Sequence, residues 1–294
     1  MRENLINLLL VIGLVGLITA CVSERGSVKT GIDSAGPIAG NETVSDPAGT
    51  DRGKSADIGD FIVEHSEVKN AKFLKIDNEI KRERLLEDAA DRLNTALILP
   101  DDIFLRTKDC GDINAFYNSE ERSITVCYEL MDHFYQVFRD GGNDESGSFS
   151  KMFDAVRFVF LHEIAHGLID AYDLPITGNE EDAADRCSAF INLNELGDDG
   201  VRAVFAASDA FEIESRQGGK RSKSLADEHL LQEQRFYNSL CMIYGSNSNK
   251  HSNIVTDGYL PKERADRCPV EYQRTVDSWT SLLEPWRKKY QTGF

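Results

Sequence analysis

SKMFDAVRFVFLHEIAHGLIDAY, residues 150–172, decides how the rest of the chain is read. Met152, Phe153, Val156, Val159, Phe160, Ile164, Leu168 and Ile169 recur at helical spacing and leave little of the circumference polar. The segment is predicted to be a central, buried helix. A polar, glycine-bearing loop from Gly141 to Ser148 leads into it, and it stops before Pro175. Within this apolar helix stand His162, Glu163 and His166, three ionisable groups whose burial without partners is costly.

The spacing of these three residues explains their place. His162 and His166 are one turn apart, so both imidazoles leave the same face with Cβ atoms roughly 5–6 Å apart, a separation that suits two ligands of a tetrahedral zinc. Glu163 is the candidate general base acting on a water at that metal. A third protein ligand and an open position for water are still required. The segment Asn179-Glu180-Glu181-Asp182-Ala183-Ala184-Asp185-Arg186 supplies candidates, with Pro175 and Gly178 letting the chain reverse before it. On a helix antiparallel to the first, Glu181 can face the histidines, and Asp185 can accept the other ring N–H of a ligand histidine. Glu180 remains a rival to Glu181. The same six residues occur as Glu87 to Arg92, on an amphipathic helix whose carboxylates fit a solvated face.

His-Glu-x-x-His followed by Glu-x-x-Ala-Asp resembles the gluzincin type of zinc metallopeptidase, most closely the CaaX prenyl endopeptidase-like branch. The resemblance implies His162, His166 and Glu181 as metal ligands, Glu163 as base and Asp185 as the group that orients a ligand. It does not extend to the membrane helices of those enzymes: after the first 21 residues no segment reaches the roughly 18 unbroken apolar residues of a membrane span. The broader layout resembles a family of bacterial metallopeptidase-like proteins of uncharacterised function, over most of Phe61 to Phe294. Asn114-Ala115-Phe116-Tyr117 is similar to the edge strand of thermolysin-like peptidases, which implies Asn114 and Ala115 as contacts to a substrate backbone. A plain hairpin with its aromatics in the core accounts for that short match equally well. A downstream histidine donates to the developing oxyanion in several gluzincins, which makes His229 the first candidate for that role. The alternative is a helix-start histidine satisfied by Asp227 or Glu228.

The remaining pattern gives an α+β fold. Phe61-Ile62-Val63 and Phe73-Leu74 read as pieces of strand, Asp77 to Leu97 as a helix, Ile103 to Lys108 as a strand, and Ile113 to Tyr117 with Ser123 to Tyr128 as a hairpin. Helices follow through Phe134 and Val137, from Leu225 to Tyr244, and through Tyr272 to Trp286. The expectation is zincin-like: a small mixed sheet with an edge strand beside the His-Glu-x-x-His helix, followed by a mainly helical C-terminal part.

Arg2 followed by the apolar run Leu5 to Ile18 reads as an export signal, and Ile18-Thr19-Ala20-Cys21 resembles a bacterial lipobox with Cys21 as the lipidated residue. Residues 22–60 are poor in large hydrophobes and read as a flexible tether, leaving 61–294 as the folded domain. The expected location is therefore exported and lipid-anchored to the cell envelope, periplasmic or on the outer surface. Without Cys21 there remain Cys110, Cys127, Cys187, Cys241 and Cys268, which implies two bridges and one thiol. Nearness favours Cys110 with Cys127 and Cys241 with Cys268, although other pairings are arithmetically allowed.

With 50 acidic against 33 basic residues in 294, the net charge is -17, and the resulting field argues against nucleic acid as a partner. The expected activity is Zn2+-dependent hydrolysis of peptide bonds in a peptide or protein substrate. Two alternatives stand beside it: a metal-stabilised lipoprotein binding or scaffold module without catalysis, and a zinc amidase acting on cell-wall peptides.

Overall fold

The computed structural model describes residues 56–217 and 229–289. Cys21 and the expected signal and tether up to residue 55 lie outside them. Strands β1 (Phe61–His65), β2 (Ile103–Lys108), β3 (Ala115–Asn118) and β4 (Ser123–Cys127) form one mixed sheet in the order β1-β2-β4-β3. The first three positions are parallel, with Phe61 opposite Ile103 and Leu105 opposite Ile124. β3 is antiparallel to β4, Ala115 opposite Val126, and forms one edge. All five residues of β4 are buried, as a strand covered on both faces requires.

Helices α1 (Leu74–Arg82) and α2 (Leu85–Ala96) replace the single helix expected over 77–97. The break is at Arg84, whose φ of 52° is left-handed and incompatible with helix continuation. Phe73-Leu74 is not a strand. Asn70 caps a 3-10 turn at Ala71–Phe73 by accepting from the Lys72 N–H, and Leu74 begins α1. The buried Phe73 is a core residue of a helix start, which its apolar neighbour alone does not reveal. α3 (Tyr128–Asp140) follows β4 directly.

The central helix α4 (Glu145–Ala171) begins five residues earlier than its apolar pattern, because Asp144 accepts the Gly147 N–H at 2.7 Å and caps the loop side. Its remaining neighbours are α5 (Glu180–Glu195) and α6 (Gly197–Gln217). Side-chain pairing fixes α5 as antiparallel to α4: Ser188 bonds the Phe158 carbonyl, Asp185 meets His162 and Glu180 meets His166. α7 spans Gln232–Ser246, so the described residues 229–231 precede the helix expected from Leu225, and 225–228 lie outside the description. Short helices α8 (Asn253–Thr256) and α9 (Lys262–Ala265) lead to α10 (Cys268–Leu283).

Two apolar clusters fill the molecule. The first joins the sheet, α2, α3 and α4 through residues such as Leu105, Ile124, Phe138 and Ile164, and the second joins α6, α7 and α10 through Phe158, Phe211 and Ile243. The disulfides Cys110–Cys127 and Cys241–Cys268 form as nearness favours, and Cys187 is a buried thiol whose pKa burial pushes far up. Gly245 lets α7 lie against α10, since a Cβ there would stand 2.4 Å from the Cys268 carbonyl oxygen. No helix among the described residues is long and apolar enough to cross a membrane.

Candidate metal centre

α4 and α5 bring the predicted ligands together. His162 Nε2 lies 3.2 Å from His166 Nε2 and 3.1 Å from Glu181 Oε2, and His166 Nε2 lies 3.5 Å from Glu181 Oε1. Three donors sharing a tetrahedral ion with bonds of about 2.0–2.1 Å stand about 3.3 Å apart. The observed separations fit that figure.

The other ring nitrogens explain the orientation. His162 Nδ1 donates to Asp185 Oδ1 at 2.9 Å, and His166 Nδ1 donates to Glu180 Oε1 at 2.8 Å. Carboxylates accept only, so each neutral ring carries its proton on Nδ1 and turns the Nε2 lone pair inward. With both rings neutral, two lone pairs and the Glu181 carboxylate converge, an arrangement that a metal cation satisfies; with His162 protonated, the same Nε2 donates to Glu181 instead. Burial opposes protonation of His162, yet hydrogen bonds to Asp185 and Glu181 lift its pKa to about 9. Burial likewise opposes, and Glu181 and Glu180 raise, the pKa of His166. The Glu181 carboxyl, despite its own burial, is held far below the usual range by the three histidines it faces. The same negative field favours a divalent cation.

Glu180 meets the other ring nitrogen of His166 and not the converging ones. It holds His166 from the opposite ring nitrogen, at the first residue of α5, where a helix N-terminus favours a carboxylate. Asp185 stands where the sequence places it, and a residue that sequence reasoning did not assign completes its setting. Arg235 of α7 binds Asp185 through two hydrogen bonds, and its guanidinium lies 4.1 Å from the centre of the Phe211 ring. Its weak signal in sequence is a cation just before Phe236, which opens the core-facing register of α7.

Glu163 is 7% exposed and makes no hydrogen bond or ion pair among the described residues. Burial raises its pKa, with His162 and His166 opposing the shift. It faces a cleft of about 560 Å³ lined also by His166, Glu181, His229 and the β3 residues Asn114 to Tyr117. His229 reaches the same place: its Nε2 lies 3.0 Å from Glu181 Oε2, and its ring stacks on that of His162 at 15°. His162, Glu181 and His229 thus form a second donor triad sharing two members with the first. His166 is 14% exposed with its far nitrogen fixed, whereas His229 is 43% exposed at the cleft rim.

Asn114 and Ala115 border the cleft on the free side of β3, while their backbones join β4 on the other. Tyr117 packs its ring against Gly167 of α4 and donates its hydroxyl to Asp170 at 2.7 Å. Phe116 is 37% exposed, so the aromatics of this strand are divided between core and cleft. The other histidines stand outside the centre. His65 pairs with Glu87, His133 with Glu214, and His251 packs edge-on to Phe205. The earlier copy of the hexapeptide lies on α2, with Asp88 and Asp91 paired to Arg84.

Compared with families of known proteins, the chain matches the one described as "Putative metallopeptidase" over residues 65–283. It belongs to that family. The match contains both donor triads, Glu163, Asp185 and Arg235, and membership implies a metal at a centre of this kind. No curated protein and no solved structure matches the chain.

Proposed function

We propose that this family member is a zinc-dependent peptidase, with His162, His166 and Glu181 holding the ion and Glu163 as general base. The observation that carries the reading is the convergence of two inward lone pairs and one carboxylate at tetrahedral spacing, beside an open cleft. When bound, zinc supplies Lewis acidity that polarises a carbonyl and makes water a stronger acid. Glu163, buried and unpaired, takes the proton of the attacking water and returns it to the leaving amine. His229 lies at the rim, where an imidazole N–H steadies the oxygen that becomes negative. The edge strand β3 offers Asn114 and Ala115 as backbone partners for an extended substrate. Cys21 would carry the lipid that ties this domain to the cell envelope.

The cleft favours hydrolysis over a purely structural metal: a structural site is closed by four protein ligands, whereas the fourth donor near this centre, His229, is 43% exposed at the rim of an open cleft. An amidase acting on cell-wall peptides shares every residue role above and differs only in substrate. The test is Glu163→Gln beside His162→Ala in purified protein, with zinc content and cleavage of a peptide and cell-wall fragment panel as readouts. Glu163→Gln is expected to retain zinc and lose about 10²–10⁴-fold in turnover. His162→Ala is expected to lose both, and undiminished turnover in Glu163→Gln overturns the mechanism.

A further inference from the structure

Among the described residues the formal charges that line the cleft are of one sign: five carboxylates, Glu163, Asp170, Asp173, Glu180 and Glu181, stand beside the histidines His166 and His229, with no lysine or arginine. Glu163 and Glu181 belong to the metal centre, and Glu180 is engaged by His166. Asp170 accepts the Tyr117 hydroxyl through Oδ2, and the Asp173 carboxylate has no partner among the described residues. Both aspartates are exposed.

Asp170 gains the Tyr117 hydroxyl and Asp173 suits its left-handed backbone, but the charge of each stands where the helix does not gain from it. Asp170 lies in the last turn of α4 and Asp173 just beyond it, the negative end of a 27-residue helix whose last turn holds no basic residue. Carboxylates there oppose the helix dipole. The acids of the first turn of α5, by contrast, sit at a helix N-terminus and are explained by it. A second, separate feature marks the cleft as a ligand site: Glu163, more than nine-tenths buried, points an unpaired carboxyl into it.

Resting on the hydrolytic reading above, we infer that this cleft selects peptides with a lysine or arginine side chain near the bond to be cut, and that Asp170 and Asp173 read that charge. Asp170 is one turn beyond His166 on the same face, and Asp173 follows just past the helix end, so the pair lies roughly 6–10 Å along the helix direction from His166. An extended chain advances about 3.3 Å per residue. The cation therefore belongs two or three residues from the scissile bond. A cleft walled by one sign of charge concentrates ligands of the other sign, and like-charged peptides are excluded in the same measure.

The test measures binding separately from turnover. Fluorescein-labelled, N-acetylated hexapeptides that differ only in one residue, Lys, Gln or Glu, are titrated by anisotropy into the zinc-loaded Glu163→Gln full chain at low salt. Free-amine versions of the same peptides separate a side-chain cation from an amino terminus. The Lys peptide is expected to bind about tenfold more tightly than the Gln peptide and more tightly still than the Glu peptide, with the preference suppressed at 0.5 M salt. In Asp170→Asn/Asp173→Asn the preference should fall below threefold, with Tm unchanged or raised. Asp173→Asn alone, which loses no hydrogen bond and suits the left-handed φ of 47° at that position, should remove part of it. Glu263→Gln/Asp266→Asn changes net charge equally on an exposed surface outside the cleft and should leave the preference intact. Equal binding of the three peptides, no binding, or a preference that survives in the double variant overturns the inference. A free-amine preference with none for Lys overturns the side-chain assignment. Selective binding without cleavage by the wild type overturns the peptidase reading and leaves the charge selection standing, whereas cleavage without charge preference does the reverse.

Discussion

Arg235 grips Asp185 by two hydrogen bonds, Nε to Oδ2 at 2.8 Å and Nη2 to Oδ1 at 2.7 Å, and that same Oδ1 receives the Nδ1 proton of His162. The pair is largely buried, at 12% and 17% exposure, so α7 is tied through α5 to His162, the first candidate ligand on α4. Removing the guanidinium strands a carboxylate in the interior. Arg235→Met is expected to cost about 3–5 kcal/mol of stability and to weaken zinc binding about 10–100-fold. Thermal unfolding of the metal-free protein and chelator competition measure the two effects separately. Arg235→Lys, a cation without the bidentate fork, should fall between wild type and Met in both.

On the proposed reading the neighbours Glu180 and Glu181 have separate tasks, and metal content tests that division. Glu181→Ala removes an inward donor and should abolish stoichiometric zinc binding. Glu180→Ala removes only the partner of His166 Nδ1, so zinc should be retained with affinity reduced about tenfold. Equal loss in both variants contradicts the division of roles.

The two disulfides constrain loops of similar length, with sequence separations of 17 and 27. Each is expected to contribute about 3 kcal/mol through the unfolded chain. They differ in what else they hold. Cys110–Cys127 encloses the whole of β3 and ends at β4, whereas Cys241–Cys268 joins α7 to α10 within the second apolar cluster. Cys110→Ser/Cys127→Ser should therefore raise KM for peptides more than Cys241→Ser/Cys268→Ser at matched temperatures below unfolding.

His251 is 6% exposed, and burial, then the charge of Lys250, lowers its pKa below the ordinary 6.5. The unfolded chain therefore takes up a proton at this residue at higher pH than the folded protein does. The contribution to stability is fully present above about pH 6.5 and is lost as pH falls toward the folded pKa. His251→Gln should show a smaller drop in Tm between pH 7.5 and pH 5 than the wild type, measured in the presence of chelator.

Much of the centre was legible because it is local. One turn separates His162 from His166, and one turn separates Glu181 from Asp185, so spacing alone put each pair on a common face and the chain reversal at Pro175 and Gly178 brought the faces together. Strand β2 was legible for the same reason, since its alternating burial is a local pattern. The break between α1 and α2 was not, because Arg84 takes a left-handed conformation for which nothing in its side chain speaks. The start of α4 was read late because residues 145–148 are polar or glycine and carry no apolar period, and only the Asp144 cap reveals the turn. Glu180, Arg235 and the Tyr117–Asp170 contact involve partners 14, 50 and 53 positions away. No periodicity carries such information, and packing alone decides it.

Tyr117 lies flat enough on α4 that a Cβ at Gly167 would meet its ring at 3.5 Å, ordinary van der Waals distance. The aperture between α4 and the edge strand β3 is thus calibrated by a side chain that is missing. Alanine would fit this gauge, while leucine would wedge the aromatic ring outward and carry the strand with it. The atoms nearest that position belong to Tyr117 and Ile124 rather than to His162, His166 or Glu181, so on the metallopeptidase reading a protein so altered should remain fully metallated yet unable to grip a peptide.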